Sequence, residues 1–135
     1  MIKLSRLTDY AVVIMAEMAK NKSVRMSASA LSVCTALPEA TVAKVLKILT
    51  KDGLINSTRG VNGGYMLVIM PDDLNVRTII EAMEGPITLA SCVKGSQENC
   101  ALEGMCGVNG RWTPVNAAIK AALAQVTLTD MLGRS

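Results

Sequence analysis

Histidine and phenylalanine are both absent from this sequence, and its aromatic residues are one Trp and two Tyr. Without Phe, the interior must be built from Leu, Ile, Val, Met and Ala, a mixture that suits helices better than β-sandwiches. Without His, a zinc site lacks one of its two usual ligand types, and a thiol redox enzyme lacks the base that normally assists its thiolate. The CxxC motif that would serve either is absent too. No apolar run approaches the length of a membrane span. The opening MIKLSRLTDY has no signal-peptide core. These absences describe a cytoplasmic chain with no membrane partner and no enzyme signature. In that compartment structural disulfides are rare, and clustered cysteines more often bind metal or react. There is no internal repeat and no low-complexity segment.

The 135 residues suit one compact domain with an appended element, and half of them are hydrophobic. The nine Met residues are read as gap-filling core. Net charge is +3, but its distribution is uneven: residues 1–60 hold nine Lys/Arg against four Asp/Glu, and residues 61–135 hold five against seven. The first half is therefore the surface for a polyanion.

Along the chain, LTDYAVVIMAEMAKN (7–21) spaces Leu7, Ala11, Ile14, Met15 and Met18 as one helix face, with Thr8 or Ser5 as its cap. SASALSVCTA (27–36) reads as a short helix capped by Ser27, with Ala30, Leu31 and Cys34 on one face, which makes Cys34 a buried small hydrophobe. LPEATVAKVLKILTKDG (37–53) follows at once. Pro38 suits its first turn and Gly53 its end, and Val42, Val45, Leu46 and Leu49 form the inward stripe. Ala40, Thr41, Lys44, Lys47 and Lys51 lie mainly on the other side. At LINSTRGVNGGYMLVIM the period changes to two strands, Leu54–Thr58 and Tyr65–Ile69, joined by a Gly- and Asn-rich turn. Asn75 caps a helix over 76–85 that Gly85-Pro86 stops. Thr113-Pro114 opens a final helix over 115–126, whose apolar face is Val115, Ile119, Ala122, Leu123 and Val126. The simplest partner for such a terminal helix is the same helix of a second chain.

Two short helices joined by a tight turn and followed by a hairpin make a winged helix-turn-helix. The expected fold is mainly α with a small β-hairpin wing and a long C-terminal dimerisation helix. Three regions result: the DNA-binding domain (1–72), a linking helix with a cysteine-bearing loop (73–110), and the dimerisation helix with its tail (111–135). The first residues of a recognition helix reach base edges in the major groove. Here those are Pro38, Glu39, Ala40, Thr41 and Lys44. Lys47 and Lys51 meet phosphates or solvent, and Ser29 and Ser57 add phosphate contacts. Arg59 at the hairpin tip is placed to enter a narrow minor groove. Gly63 and Gly64 serve the turn geometry.

The wing STRGVNGGYML resembles that of the Rrf-two (BadM-type) family of bacterial transcription regulators. The opening LSRLTDYAV is similar to that family's first helix, and the resemblance runs from Leu4 to about Met131. RLTDYA, RGVNGGY, EAMEGPI and VTLTDM look most like its regulators of the SUF iron–sulfur assembly operon, with IscR and NsrR more distant. The resemblance implies a homodimer that binds a near-palindromic double-stranded DNA operator, most simply as a repressor of iron–sulfur assembly genes.

Cys92, Cys100 and Cys106 fall within fifteen positions of SCVKGSQENCALEGMC. Their spacing has no paired zinc knuckles, and thiolates are soft ligands suited to iron–sulfur clusters, which accept an unusual fourth ligand. Gly95, Gly104 and Gly107 give the loop freedom to wrap a cofactor. The resemblance implies that the three cysteines hold a 2Fe–2S or 4Fe–4S cluster. Their first gap is longer than in IscR-like members, and the place of those members' His ligand is Gly107-Val108-Asn109. In NsrR-like members an Asp from the partner's first helix is the fourth ligand, and that position matches Asp9. Glu98, Glu103 or an exogenous thiol are alternatives. Other readings are a nitric-oxide or redox sensor, a cluster-free regulator of cysteine metabolism, a reversible disulfide, and an interaction module that binds a cluster or metal but not DNA.

Overall fold

The computed structural model describes residues 4–21, 24–61, 63–88 and 112–132. The loop cysteines Cys92, Cys100 and Cys106, with Glu98 and Glu103, lie outside the described residues. Eight elements follow in order: α1 (Arg6–Lys20), α2 (Ala28–Thr35), α3 (Glu39–Lys51), β1 (Ile55–Thr58), β2 (Gly64–Leu67), α4 (Val76–Glu84), α5 (Trp112–Ala124) and α6 (Leu128–Met131). The winged helix-turn-helix order expected from the sequence is present.

Each helix start has a local cause. Ser5 Oγ accepts from the Thr8 N–H at 3.1 Å, Ser27 Oγ from Ala30 at 3.0 Å, and the Asn75 side chain from Thr78 at 2.9 Å. Each bond satisfies an N–H that the first helical turn leaves unpaired. Pro38, expected inside the first turn of α3, stands one residue before it at φ −58°. Ala36 closes α2 in the left-handed region at φ 60°. Ser32 Oγ donates to the Leu37 carbonyl at 2.6 Å and holds this turn. The chain bends by 118° between α2 and α3, as a helix-turn-helix requires.

The core gathers Ala11, Ile14, Met15 and Met18 of α1, Leu31 of α2, the stripe Val42, Val45, Leu46 and Leu49 of α3, Leu54 and Ile55, and Leu74 and Ile79 around α4. Aliphatic and Met side chains fill it, with Tyr65 at its margin. Leu128 of α6 is fully buried in the same core. Backbone bonds hold it there: Leu128 N–H to the Leu74 carbonyl at 2.7 Å and Val76 N–H to the Val126 carbonyl at 2.8 Å. Thr127 and Asp130 form a reciprocal capping box that starts α6.

Two expectations need correction. Cys34 is exposed, not buried. The inward face of α2 runs through Ala28, Leu31 and Thr35, so Cys34 falls at its edge, beside the largely exposed Val33. The final helix, expected over 115–126, spans Trp112–Ala124. Of its apolar face, Ile119 and Leu123 are half-buried beside the buried Asn116, whereas Val115, Ala122 and Val126 are exposed within the single chain and open to the second chain expected there. Asn116 Nδ2 donates to the Ile87 carbonyl at 2.7 Å, which ties this helix to the segment after α4.

Candidate nucleic-acid interface

The inward stripe of α3 leaves Glu39, Ala40, Ala43, Lys44, Lys47 and Lys51 exposed, with Thr41 half-buried. Pro38 is exposed immediately before them, and Ser29 is exposed in the first turn of α2. Ala43 joins this face although its side chain offers no polar group to mark it in the sequence.

The hairpin stands next to α3, because β1 follows it through Gly53 and packs on it. Pairing is antiparallel, from Ile55 with Leu67 to Thr58 with Gly64. Ile55 points into the core, while Asn56, Ser57, Thr58 and Arg59 are exposed, as is Val61 at the turn. Gly63 is sterically required. A Cβ there would lie 2.2 Å from the Thr58 carbonyl oxygen. At Gly64, with φ +144°, a Cβ would sit 3.0 Å from the Met26 carbonyl oxygen. The two glycines therefore admit close backbone approach as well as forming the turn.

That close approach has a purpose. Met26 N–H donates to the Tyr65 carbonyl at 3.1 Å, and Tyr65 N–H donates to the Met26 carbonyl at 2.9 Å. The segment before α2 is thus bridged to β2 and ties the wing to the helix-turn-helix. Among the described residues, the ion pairs are Lys20 with Glu17 and Arg77 with Glu81. Arg25, Lys44, Lys47, Lys51 and Arg59 have no carboxylate partner among the described residues, so their charge is available to a polyanion.

Residues 4–134 match the family model described as Rrf2, iron-dependent transcriptional regulator. The chain belongs to the Rrf2 family. It is 27% identical over 132 residues to the HTH-type transcriptional regulator NsrR of Bacillus licheniformis, covering 97% of this chain and 92% of that protein. The structure of CymR, the global cysteine regulator of B. subtilis, superposes with a TM-score of 0.74 at 29% identity, covering 98% of this chain and 97% of that one. IscR of T. potens superposes with a TM-score of 0.70 at 27% identity, over 97% and 86%. This Rrf2 protein is accordingly a DNA-binding transcription regulator with a winged helix-turn-helix fold, and not an enzyme.

Asp9 lies elsewhere on the Rrf2 fold. It is exposed in the first turn of α1, in an open cleft lined by Leu4, Ser5, Arg6, Asp9 and Glu84. The cleft joins the start of α1 to the end of α4. Thr8 Oγ1, itself fully buried, donates to Glu84 Oε2 at 2.7 Å. Among the described residues, no group of three His, Cys, Asp or Glu could hold a metal, and no single helix is long and apolar enough to cross a membrane.

Proposed function

We propose that this protein is an iron–sulfur-cluster-dependent regulator, acting as a cytoplasmic repressor of iron–sulfur assembly (SUF) genes. The observation that carries this reading is the donor set between α4 and α5: three cysteines in fifteen positions, in a chain without His. Three thiolates fit an iron–sulfur cluster and leave one ligand to be supplied. Cys92, Cys100 and Cys106 would hold it, with Asp9 of a second subunit as the fourth ligand. Asp9 is exposed at a cleft and reachable from outside its own chain, which supports that role. The cluster would supply lability toward iron, oxygen or nitric oxide.

The chain's own residues supply the read-out. Glu39, Ala40, Thr41 and Lys44 of α3, with Pro38 before it, would enter the major groove, Arg59 the minor groove, and Ser29 a phosphate. A homodimer joined through α5 would present two such surfaces to a near-palindrome. The loop leaves α4 beside Glu84 and returns to α5, and these two helices pack on each other. Ordering of the loop would therefore act on the dimer helix and on α1 together. A coupling of about 1.4 kcal/mol suffices for tenfold regulation.

The test is anaerobic purification with visible absorption and iron and sulfide counts, alongside Cys92→Ala, Cys100→Ala and Cys106→Ala. A brown protein bleached by each replacement supports the reading. A colourless protein after anaerobic reconstitution rejects it. The likeness to CymR favours a second reading in that event: a cluster-free regulator of cysteine metabolism.

A further inference from the structure

We infer that Arg25, which lies in neither the recognition helix nor the wing, is a phosphate-binding residue of the DNA interface that also positions the wing. The inference rests on the DNA-binding reading and extends it to a residue outside both elements. Arg25 Nη1 donates to Thr58 Oγ1 at 2.5 Å, across 33 positions of sequence. The register explains how it gets there. Tyr65 turns its N–H and carbonyl toward Met26, whereas its neighbours on β2 pair with β1. Met26 and β1 therefore flank β2 on opposite sides. Side chains alternate along extended chain, so Arg25 lies on the face opposite the buried Met26. From that outer face its guanidinium crosses β2 to reach Thr58. Gly64, the residue paired with Thr58, has no side chain to obstruct it.

Thr58 is the last residue of β1, and Arg59 follows it at the exposed start of the turn. Holding Thr58 fixes the point from which Arg59 leaves the sheet. One bond to a hydroxyl occupies only one of the five donors of a guanidinium. Arg25 is exposed and has no carboxylate partner among the described residues. Its charge stays uncompensated, and the remaining N–H groups belong to an exposed planar fork whose geometry matches phosphate oxygens. The partner group is a phosphodiester of the DNA backbone on the wing side of the recognition helix.

The experiment uses the full chain and a fluorescein-labelled random-sequence 30-base-pair duplex, chosen because phosphate contacts do not depend on sequence. Binding is followed by anisotropy across a KCl series for wild type, Arg25→Gln, Thr58→Val, Arg59→Ala and the Thr58→Val/Arg59→Ala double variant, and thermal melts are recorded for all. Arg25→Gln should flatten the plot of log affinity against log salt by about 0.9 for each bound protomer, the signature of one lost phosphate neutralisation. Thr58→Val should keep the wild-type slope but lower affinity, and should shrink the further loss caused by Arg59→Ala. Melting temperatures should stay at the wild-type value. A wild-type slope for Arg25→Gln overturns the proposal, and so does full additivity of Thr58→Val with Arg59→Ala. A loss of affinity that tracks a fallen melting temperature also overturns it, by showing a merely structural role. Wild-type protein that fails to bind the duplex at low salt would instead bring down the DNA-binding reading itself.

Discussion

At the scale of single residues, the most informative positions are those where burial and residue type disagree. Sharing a helix face with Leu31 argues for Cys34 as a small core hydrophobe, yet it is exposed. On a helix of eight residues the inward face is narrow, and one step of rotation moves a side chain into solvent. Its exposure predicts that Cys34→Ser changes stability by less than about 0.5 kcal/mol, and that the native protein gives up this thiol to a maleimide without unfolding. Ala36 is the opposite case, an ordinary residue in an unusual conformation. The left-handed region costs an L-residue about 1–2 kcal/mol, of which glycine's greater freedom in the unfolded chain would take back about 0.5–1. Ala36→Gly should therefore raise stability by up to about 1.5 kcal/mol in urea unfolding, and Ala36→Val should lower it. Thr8 is a polar residue in the core, with its hydroxyl committed to Glu84. Replacing it with Val keeps the shape and removes two bonds, to Glu84 and to the Ser5 hydroxyl, at a cost of about 1–3 kcal/mol in urea unfolding.

At the scale of elements, the parts legible in the sequence were those with their own local signals. Ser27, Asn75 and Ser5 marked helix starts by their side-chain oxygens, and the strand ends moved by only a residue or two because Gly, Asn and Pro bracket the hairpin. The bridge between Met26 and Tyr65 had no such signal. It joins segments far apart in sequence, and its partners are backbone groups that every residue carries. The steric demand on Gly63 was hidden for the same reason, since only the folded hairpin brings the Thr58 carbonyl against it. Gly63→Ala would place a methyl 2.2 Å from that oxygen, and backbone cannot give way as a flexible side chain would. The turn should open and Arg59 should swing off line. The expected loss is about ten- to a hundredfold in DNA affinity, the equivalent of a single charged contact of about 1.5–3 kcal/mol. Most of the core lies outside the hairpin, so the melting temperature should move little. Anisotropy and calorimetry on the same samples measure both, and unchanged DNA affinity would rule out the wing as a contact.

At the scale of the whole molecule, the least legible element was α5. Its sequence WTPVNAAIKAALA is apolar nearly all round, so periodicity alone does not separate the side that packs within the chain from the side left for a partner. Asn116 decides the phase by its bond to Ile87, a contact no spacing rule contains. Within one chain the inward face carries Asn116, Ile119 and Leu123, which leaves Val115, Ala118 and Ala122 exposed at helical spacing on another. A helix that is hydrophobic on every side is normally covered on every side. The small side chains at 118 and 122 would let a second α5 approach closely, consistent with the dimer proposed above. Ala122→Glu tests this without touching the inward face. A carboxylate forced into an apolar interface costs several kcal/mol, enough to turn a micromolar dimer into a monomer, whereas on an exposed face it costs almost nothing. Sedimentation should show the variant at half the wild-type mass with the same melting temperature. Binding to a two-half-site duplex should fall by a factor of about a hundred or more, because the second recognition helix loses its effective concentration. A variant that sediments with the wild type would place the subunit contact elsewhere, and the loop between α4 and α5 would then have to act on DNA binding through α1 rather than through the spacing of two α3 helices.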